Sequence, residues 1–568
     1  MAKKTSLYTQ AVEQRAEKTP QSSVLPGREP EMVENLAGGW TFELSPAQTV
    51  ARFLILGSDQ GTYYADPKAH TEHNMDRVRR AIAEDPAGVL KMVLDINLGG
   101  RAQKVDQSLL VYSMLLNNKS IAEQAYGSFN DVIRIGTHLF TLAEFMKAQK
   151  AFGSRARKAF ASWYTMRGDV DAVARQVSKY QNRNQWRHKD VFRLCHINPT
   201  NMPLNWQATF RWASGQPMTE HKVTRKNKAD SIEVRPDLTE HLPPILQGYE
   251  LAKKATTAEE VIALIQKYGL EREHIPTQWL NTKEVWKYLV FNMKVTALIR
   301  NVNKMTAVGL FEDQELVQYV ASRITDAEKL KKERVHPLTV LLAAKVYYQG
   351  KGILGDLEWT PVKGIIQALD SAFYLAFGAV VPVNKPVLFS MDVSGSMWMR
   401  NLFTWQERKG QLESVDLPLK PVELEAAMAL VMARTEPKIT FGVFETTYHE
   451  AVIDPNWTLG EVTAWIQHFN YGGTDCAQPF LHAMGKRMDV GAFITTTDGD
   501  TWAGNVHPSE AFKQYRARMN KPDVRSVIVA TNATAFSLSD PKEPAMLDVA
   551  GFDTEMFTTI SEFVRGEI

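Results

Sequence analysis

Cysteine is nearly absent: Cys195 and Cys476 are the only two in 568 residues, and they lie far apart. So few thiols exclude a disulfide framework and any cysteine-rich zinc site. The pair reads as reduced, buried thiols of a cytosolic protein. Long hydrophobic runs are missing too. The longest, 372–381 and 338–348, are too short or too interrupted to span a bilayer. The opening MAKKTSLYTQ is polar and lacks the apolar centre of a signal peptide. Net charge is only +2, so the total announces no polyanionic partner and the distribution has to be read instead. What is present is ordinary: 44% hydrophobic and 23% charged residues. At about 100–200 residues per domain, two to four domains are expected. A soluble, cytoplasmic, globular protein follows as the expectation.

Residues 1–30 are polar, with Pro20, Pro26 and Pro30, and read as an extended or mobile arm. From about 45 to 380 the pattern is helical, with starts at Ser45, Asp85, Gln107, Ser120, His138, Asp169, Ala258, Lys283, Asp313, His336 and Pro361. Asp85-Pro86 and His336-Pro337 place proline at the first helical position behind a capping residue. After Asp169, the residues Val170, Val173, Ala174 and Val177 recur at i, i+3, i+4 and i+7, one face of a helix. Short amphipathic helices in series, with no convincing strand, predict stacked pairs of the HEAT or armadillo kind, although no exact repeat is visible. Residues 199–245 hold six prolines and little helical period, and read as a long irregular insertion.

Beyond about Lys385 the rhythm changes. Strands at 387–394, 439–444, 451–453, 491–497 and 524–531 alternate with helices at 422–434, 459–469, 475–485, 509–519 and 558–565. That alternation predicts a mostly parallel sheet covered on both faces. Ligands bind such sheets at the carboxyl ends of strands. Three polar clusters occupy those ends: Asp392-Val-Ser394-Gly-Ser396, Gly472-Gly473-Thr474-Asp475 and Asp498-Gly499-Asp500. Carboxylates and hydroxyls are hard oxygen donors, suited to Mg²⁺, Ca²⁺ or Mn²⁺ rather than zinc. Gly395 is expected to permit the tight turn. Hydrolytic use would need a base or a second metal; Asp475 and Asp500 are the candidates, against a plainer reading of a helix cap and a solvated acid.

Charge is uneven. Residues 151–230 hold 15 Lys/Arg against 5 Asp/Glu, an excess of +10, so the remainder is slightly negative. Such a patch is the footprint of polyanion binding. Arg175 and Lys179 lie opposite the valine face of their helix, and Arg183, Arg187, His188 and Lys189 follow with Trp186 among them. Cations can neutralise phosphates while an aromatic ring stacks on bases. Lys222, Arg225, Lys226 and Lys228 beside His221 add a second basic stretch, a clamp or a solvated loop. With no helix-turn-helix, zinc finger or basic zipper, RNA is the favoured polyanion.

Several segments then resemble, in order, the Ro autoantigen or TROVE-domain family: RFLILGSDQGTYY (52–64), NQWRHKDVFRLCHINP (184–199), HIPTQWLNTKEVW (274–286), TALIRNVNKMT (296–306), RVHPLTVLLA (334–343) and GGTDCAQP (472–479). The last part, over about 180 residues, is similar to a von Willebrand A domain with a metal-ion-dependent adhesion site. The resemblance implies a polar arm (1–30), an all-α ring of HEAT-like repeats (31–380) and an α/β doubly wound A domain (385–568). It implies that Asp392, Ser394, Ser396, Thr474 and Asp498 ligate or orient one divalent ion, Mg²⁺-like, with an open position for an acidic group of a protein ligand. It implies RNA contacts at Arg175, Lys179, Arg183, His188 and Lys189, with Arg101 and Lys104 in a family-like segment and Arg300 matching without a clear role. Members bind small noncoding Y RNA on the outer ring surface and the single-stranded 3′ end of misfolded or structured RNA through the hole. Bacterial relatives work with exoribonucleases in RNA degradation or maturation. The expected function is therefore a non-enzymatic RNA scaffold or chaperone; a metal-dependent protein adaptor with a structural ring is the alternative. Residues 400–420 form a longer polar insertion than the family pattern.

Overall fold

A computed structural model describes residues 19–56, 67–102, 104–166, 168–219, 221–226, 229–234, 237–353, 356–378, 380–399, 403–408, 411–416, 419–469, 472–531, 534–552 and 554–567. Over 67–71, 221–226, 229–234, 403–408 and 411–416, and at 73, 399 and 554, it describes the backbone course alone. Residues 1–18 of the expected arm and 57–64 of the first family motif lie outside the described residues.

Capping chemistry sets many helix starts. Asp85, Asp169, Thr257 and Asp313 each accept a first-turn amide hydrogen bond, and Pro86 and Pro337 occupy the first turn behind Asp85 and His336. The Val170–Lys179 helix buries Val170, Val173, Ala174 and Val177, the stripe its period predicts. Helices that lack a capping signal, such as Ser154–Thr165 and Val295–Ala307, are additional to the expected set.

The expectation of no strands before residue 380 is corrected. Strand β1 (Met32–Glu34) pairs antiparallel with β2 (Trp40–Glu43). A two-residue hairpin joins β3 (Asn182–Arg183) to β4 (Trp186–Arg187), with Asn184 and Gln185 at positive φ. That geometry suits the twist of a tight hairpin. The 199–245 stretch is not irregular either. It contains the helix Leu204–Ser214 and a hairpin of β5 (His221–Lys226) and β6 (Ala229–Val234). Three of its prolines sit at helix entrances, Pro203 before Leu204 and Pro243 and Pro244 at the start of Pro244–Ala252, where a missing amide costs nothing.

The C-terminal sheet is built from β7 (Val387–Asp392), β10 (Ile439–Phe444), β11 (Tyr448–Ala451), β12 (Ala492–Thr497), β13 (Arg525–Ala530) and β15 (Met546–Ala550), in the order β11-β10-β7-β12-β13-β15. All pair in parallel except the edge strand β11. β7 is buried along its whole length, as a central strand covered on both faces must be. The chain fills one side of β7 with β10 and then the other with β12, which makes the β7–β12 ends a topological switch point. The 400–420 insertion contains an antiparallel hairpin of β8 (Phe403–Arg408) and β9 (Gln411–Asp416).

Four junctions tie the parts together. Phe373 of the last ring helix and Phe377 just after it pack against Phe552 and Phe557, and one hydrophobic core runs from Ala174 through the late helices to Val564. The earlier helices bury a separate core from Val50 to Phe210. The helical run closes on itself where His336 Nε2 donates to the Arg101 carbonyl at 3.0 Å. Finally, residues 19–44 are not a free arm. They lie across the C-terminal domain, where β2 pairs with β14 (Phe536–Ser537), and Arg28 is paired with Asp540. Arg52, in the first ring helix, is held bidentately by Asp548 of β15.

Candidate functional site

The three polar clusters of the C-terminal domain converge at the β7–β12 switch point. The Ser394 amide donates to Asp392 Oδ1 at 2.9 Å, and the Thr497 hydroxyl to Oδ2 at 2.6 Å. The Ser394 and Ser396 hydroxyls lie 3.2 Å apart, and Ser396 hydrogen-bonds Asp498. The 472–475 loop joins through Gly395, whose amide donates to the Gly472 carbonyl at 3.4 Å. It also joins through Thr474, whose carbonyl accepts from the Trp502 and Ala503 amides. Gly395 opens the short helix Gly395–Met399 instead of a positive-φ turn. Gly473 is required by a close approach: a Cβ there would sit 2.4 Å from the Trp502 ring.

Asp392, Ser394, Ser396, Thr474 and Asp498 are all buried together. Burial, then the charge of Asp498, raises the Asp392 pKa, and burial raises that of Asp498. Asp500 is fully buried rather than solvated; its Oδ1 accepts from the Leu36 amide and its Oδ2 has no hydrogen-bond partner among the described residues. Glu425, on the helix Pro421–Thr435, adds a fourth enclosed carboxyl, held well above its ordinary pKa by burial and the Asp392 charge. No lysine or arginine among the described residues forms an ion pair with Asp392, Asp498 or Asp500. Enclosed carboxylates without a counter-charge, ringed by hydroxyl oxygens, fit a hard divalent cation. Among the described residues no group of three or more His, Cys, Asp or Glu is placed to hold a metal, so hydroxyls would have to complete any donor set.

Asp475 belongs to a different job. It accepts from the Ala477 amide (3.0 Å), from Gln478 Nε2 (2.8 Å) and from Gln21 Nε2 (2.5 Å). Gln21 also receives the Thr501 hydroxyl, Asn35 Nδ2 donates to the Thr501 carbonyl at 2.6 Å, and a Cβ at Gly39 would collide with that carbonyl. The N-terminal segment therefore braces the third loop of the cluster. Neither Gln21 nor Asn35 carries a sequence signal for this, because their partners lie more than 450 residues away. Glu425 could have been noticed: with Glu423, which serves the helix entrance, it is one of two acids in the apolar VELEAAMALV stretch.

The basic region forms a second candidate site. Arg175, Arg183, Arg187 and Arg193 are exposed, and Lys189 is half-buried. Lys179 is engaged by Glu271, with Glu273 at 3.9 Å. Arg183 reaches Asp106 at 3.5 Å, two residues from Lys104. Lys104 and Arg300 line a cavity of about 290 Å³, and Arg101 lies at the ring closure. Lys222 and Arg225 fall on β5, registered opposite Glu233 and Asp230. A larger cavity of about 920 Å³ runs between the helices His188–Cys195 and Leu204–Ser214, lined by Lys189, Arg193, His196, Gln207 and Arg211.

His188 is the correction. Its ring is 2% exposed, and Nε2 lies 2.8 Å from the Tyr180 carbonyl. A carbonyl only accepts, so Nε2 carries the proton and Nδ1 accepts from the Tyr164 hydroxyl at 2.8 Å. Burial pushes its pKa down to about 4. The side chain pins the hairpin to the ring core and does not reach the surface. Spacing alone cannot separate it from its exposed neighbour Lys189.

With this geometry in place, the comparisons are specific. The TROVE domain matches residues 33–351 and the Ro60 vWA domain matches residues 387–564. The chain is 35% identical over 554 residues to the RNA-binding protein RO60 of Deinococcus radiodurans, covering 97% of this chain and 98% of that one. It is 32% identical over 596 residues to the RNA-binding protein RO60 of Caenorhabditis elegans, covering 94% and 90%. The crystal structure of the Deinococcus radiodurans RO (RSR) protein is similar with a TM-score of 0.66 at 34% identity, covering 92% of this chain and 100% of that one.

Proposed function

The chain belongs to the Ro family, a TROVE domain followed by a Ro60-type von Willebrand A domain, and from that premise we propose that it is a non-enzymatic RNA-binding scaffold. Its RNA site is the basic surface of Arg175, Lys179, Arg183, Arg187 and Lys189, continued by Arg101 and Lys104 at the ring closure and by Lys222 and Arg225 on β5. The observation that carries this reading is the cluster of exposed arginines on adjoining elements, in a chain whose remaining residues are slightly negative. His188 supports that surface from beneath. The RNAs are a small noncoding Y RNA and structured or misfolded RNA with a single-stranded 3′ end, handled with an exoribonuclease in quality control, maturation or degradation. The work is cytoplasmic; no described helix is long and apolar enough to cross a membrane.

In the A domain, Asp392, Ser394, Ser396, Thr474 and Asp498 would hold one divalent ion of the kind hard oxygens suit, Mg²⁺ first, with Ca²⁺ or Mn²⁺ as alternatives. Bound there, the ion would offer an open position to a carboxylate of a protein ligand. Asp475, which accepts three hydrogen bonds at a helix entrance and from Gln21, reads as a cap; Asp500 gives Oδ1 to the Leu36 amide and keeps Oδ2 without a partner among the described residues.

The test is gel-shift titration of a stem-loop RNA and of a structured RNA with a 3′ tail, at low and moderate salt. Arg175→Ala with Arg187→Ala should weaken both complexes and flatten the salt dependence by about 0.9 per lost phosphate contact. Unchanged affinity and slope would remove this surface from the reading. Absence of any RNA complex would leave the A-domain adaptor as the better account.

A further inference from the structure

A cavity of about 550 Å³ lies on the hairpin side of the His188–Cys195 helix, lined by Lys147, Lys150, Phe152, Trp186, Asp190 and Arg193. Its shape begins in the backbone. Asn184 and Gln185 at positive φ turn β3 tightly into β4 and leave Trp186 half-buried at the cavity wall. Phe152 stacks beside it, with centroids 6.2 Å apart and rings within 28° of parallel. The Lys147 ammonium stands over the Trp186 ring at 5.7 Å. Lys147, Lys150 and Arg193 are exposed, and none of the three forms an ion pair among the described residues. The one acid of the lining, Asp190, already accepts the Arg187 amide at 3.0 Å. The cavity thus combines a planar aromatic floor with a rim of three cations. Arg193 also lines the 920 Å³ groove on the other side of the same helix, so the two spaces meet at one guanidinium.

We infer that this cavity seats an unpaired RNA base, stacked on Trp186 and flanked by Phe152, while Lys147, Lys150 and Arg193 hold the phosphates on either side. The inference rests on the RNA-binding reading above and adds to it a stacking site for single-stranded RNA. A base brings a planar face for the indole and a phosphate for each neighbouring cation, and stacking tolerates any base because every base has such a face. Lys147, which stands over the indole without a base, moves to a phosphate when a base arrives. An acidic peptide would satisfy the cations but leave the aromatic floor without a planar partner.

The experiment compares a uridine oligonucleotide about ten nucleotides long with an abasic strand of the same phosphate count, using the full-length protein. Wild type should prefer the uridine strand about fivefold to a hundredfold, the range of one base–aromatic stack. Trp186→Ala should lose that preference and keep the abasic affinity, and Trp186→Phe should restore most of it. Lys147→Ala with Lys150→Ala should weaken both strands alike. Thiouridine photocrosslinking to unmodified protein should place adducts within 147–152 or 186–194, a readout that needs no variant to fold. A Trp186→Ala protein that still prefers uridine, or adducts confined to other segments, would overturn the stacking site. If wild type binds neither strand and no structured RNA either, the RNA reading itself fails and takes this site with it. Binding of structured RNA with no uridine preference removes the stacking site alone.

Discussion

His188 shows how residue type and residue place part company. Sequence reasoning marks it as one member of a basic run, yet the fold turns it inward and surrounds it with Tyr164, Tyr180 and Phe140. Its folded pKa of about 4 lies below the unfolded value near 6.5. The unfolded chain therefore binds the extra proton first, so this contribution is fully present above pH 6.5 and is lost as pH falls toward 4. His336, depressed to about 4 by burial at the ring closure, acts in the same direction. The melting temperature should fall across that window, and His188→Gln should show a shallower fall than wild type at matched salt. Equal slopes would deny His188 this role. The five oxygen residues of the A domain are a contrasting case. Strand ends and hard donors made them legible, as they did Asp500, whose burial was not foreseen; Glu425 enters the cluster only through packing. Millimolar Mg²⁺ should raise the melting temperature of wild type and leave that of Asp392→Ala unmoved; at a hundredfold excess over Kd the gain is about 2.7 kcal/mol. An equal response in both proteins would place any bound ion elsewhere.

At the scale of elements, legibility followed the strength of the local signal. The Val170–Lys179 helix has a capping aspartate, a valine stripe and a basic opposite face, and it forms with the expected start and burial. Asp169 accepts the Ala172 amide at 2.7 Å. Asp169→Ala should therefore cost about 1 kcal/mol, read by denaturant titration, and Asp169→Asn should recover most of it. The short strands were not legible for a physical reason: two to four residues cannot show a period of two, and their register comes from partners far along the chain. β2 is registered by β14, almost 500 residues later. β15 was missed in the same way, because MLDVA gains its identity as an edge strand from β13. Prolines misled over 199–245, where Pro203, Pro243 and Pro244 stand at helix entrances instead of breaking helices.

At the scale of the molecule, the change of rhythm near residue 385 marks a change of fold class without marking a break in packing. One core passes through that point, and the first ring helix returns to the last strand through Arg52 and Asp548, both nearly buried. Arg52→Ala strands the Asp548 carboxylate in a buried site and should cost about 3–5 kcal/mol. Joint replacement by Met at 52 and Leu at 548 should cost much less, as chemical denaturation would show. Removal of residues 1–44 takes away Gln21, Arg28, Asn35 and β2 together. It should lower the first melting transition and expose the amides of 498–506 to hydrogen exchange.

On the proposed reading, the basic surface of the helical domain receives RNA and the A domain does not. Hydrogen–deuterium exchange of the full-length protein, with and without a structured RNA carrying a single-stranded 3′ tail, tests it most directly. Added protection is expected in Val170–Lys179, the β3–β4 hairpin and His188–Cys195, with the β7–β12 loops unchanged. Protection confined to the loops around Asp392 and Asp498, or none anywhere under saturating RNA, would contradict it.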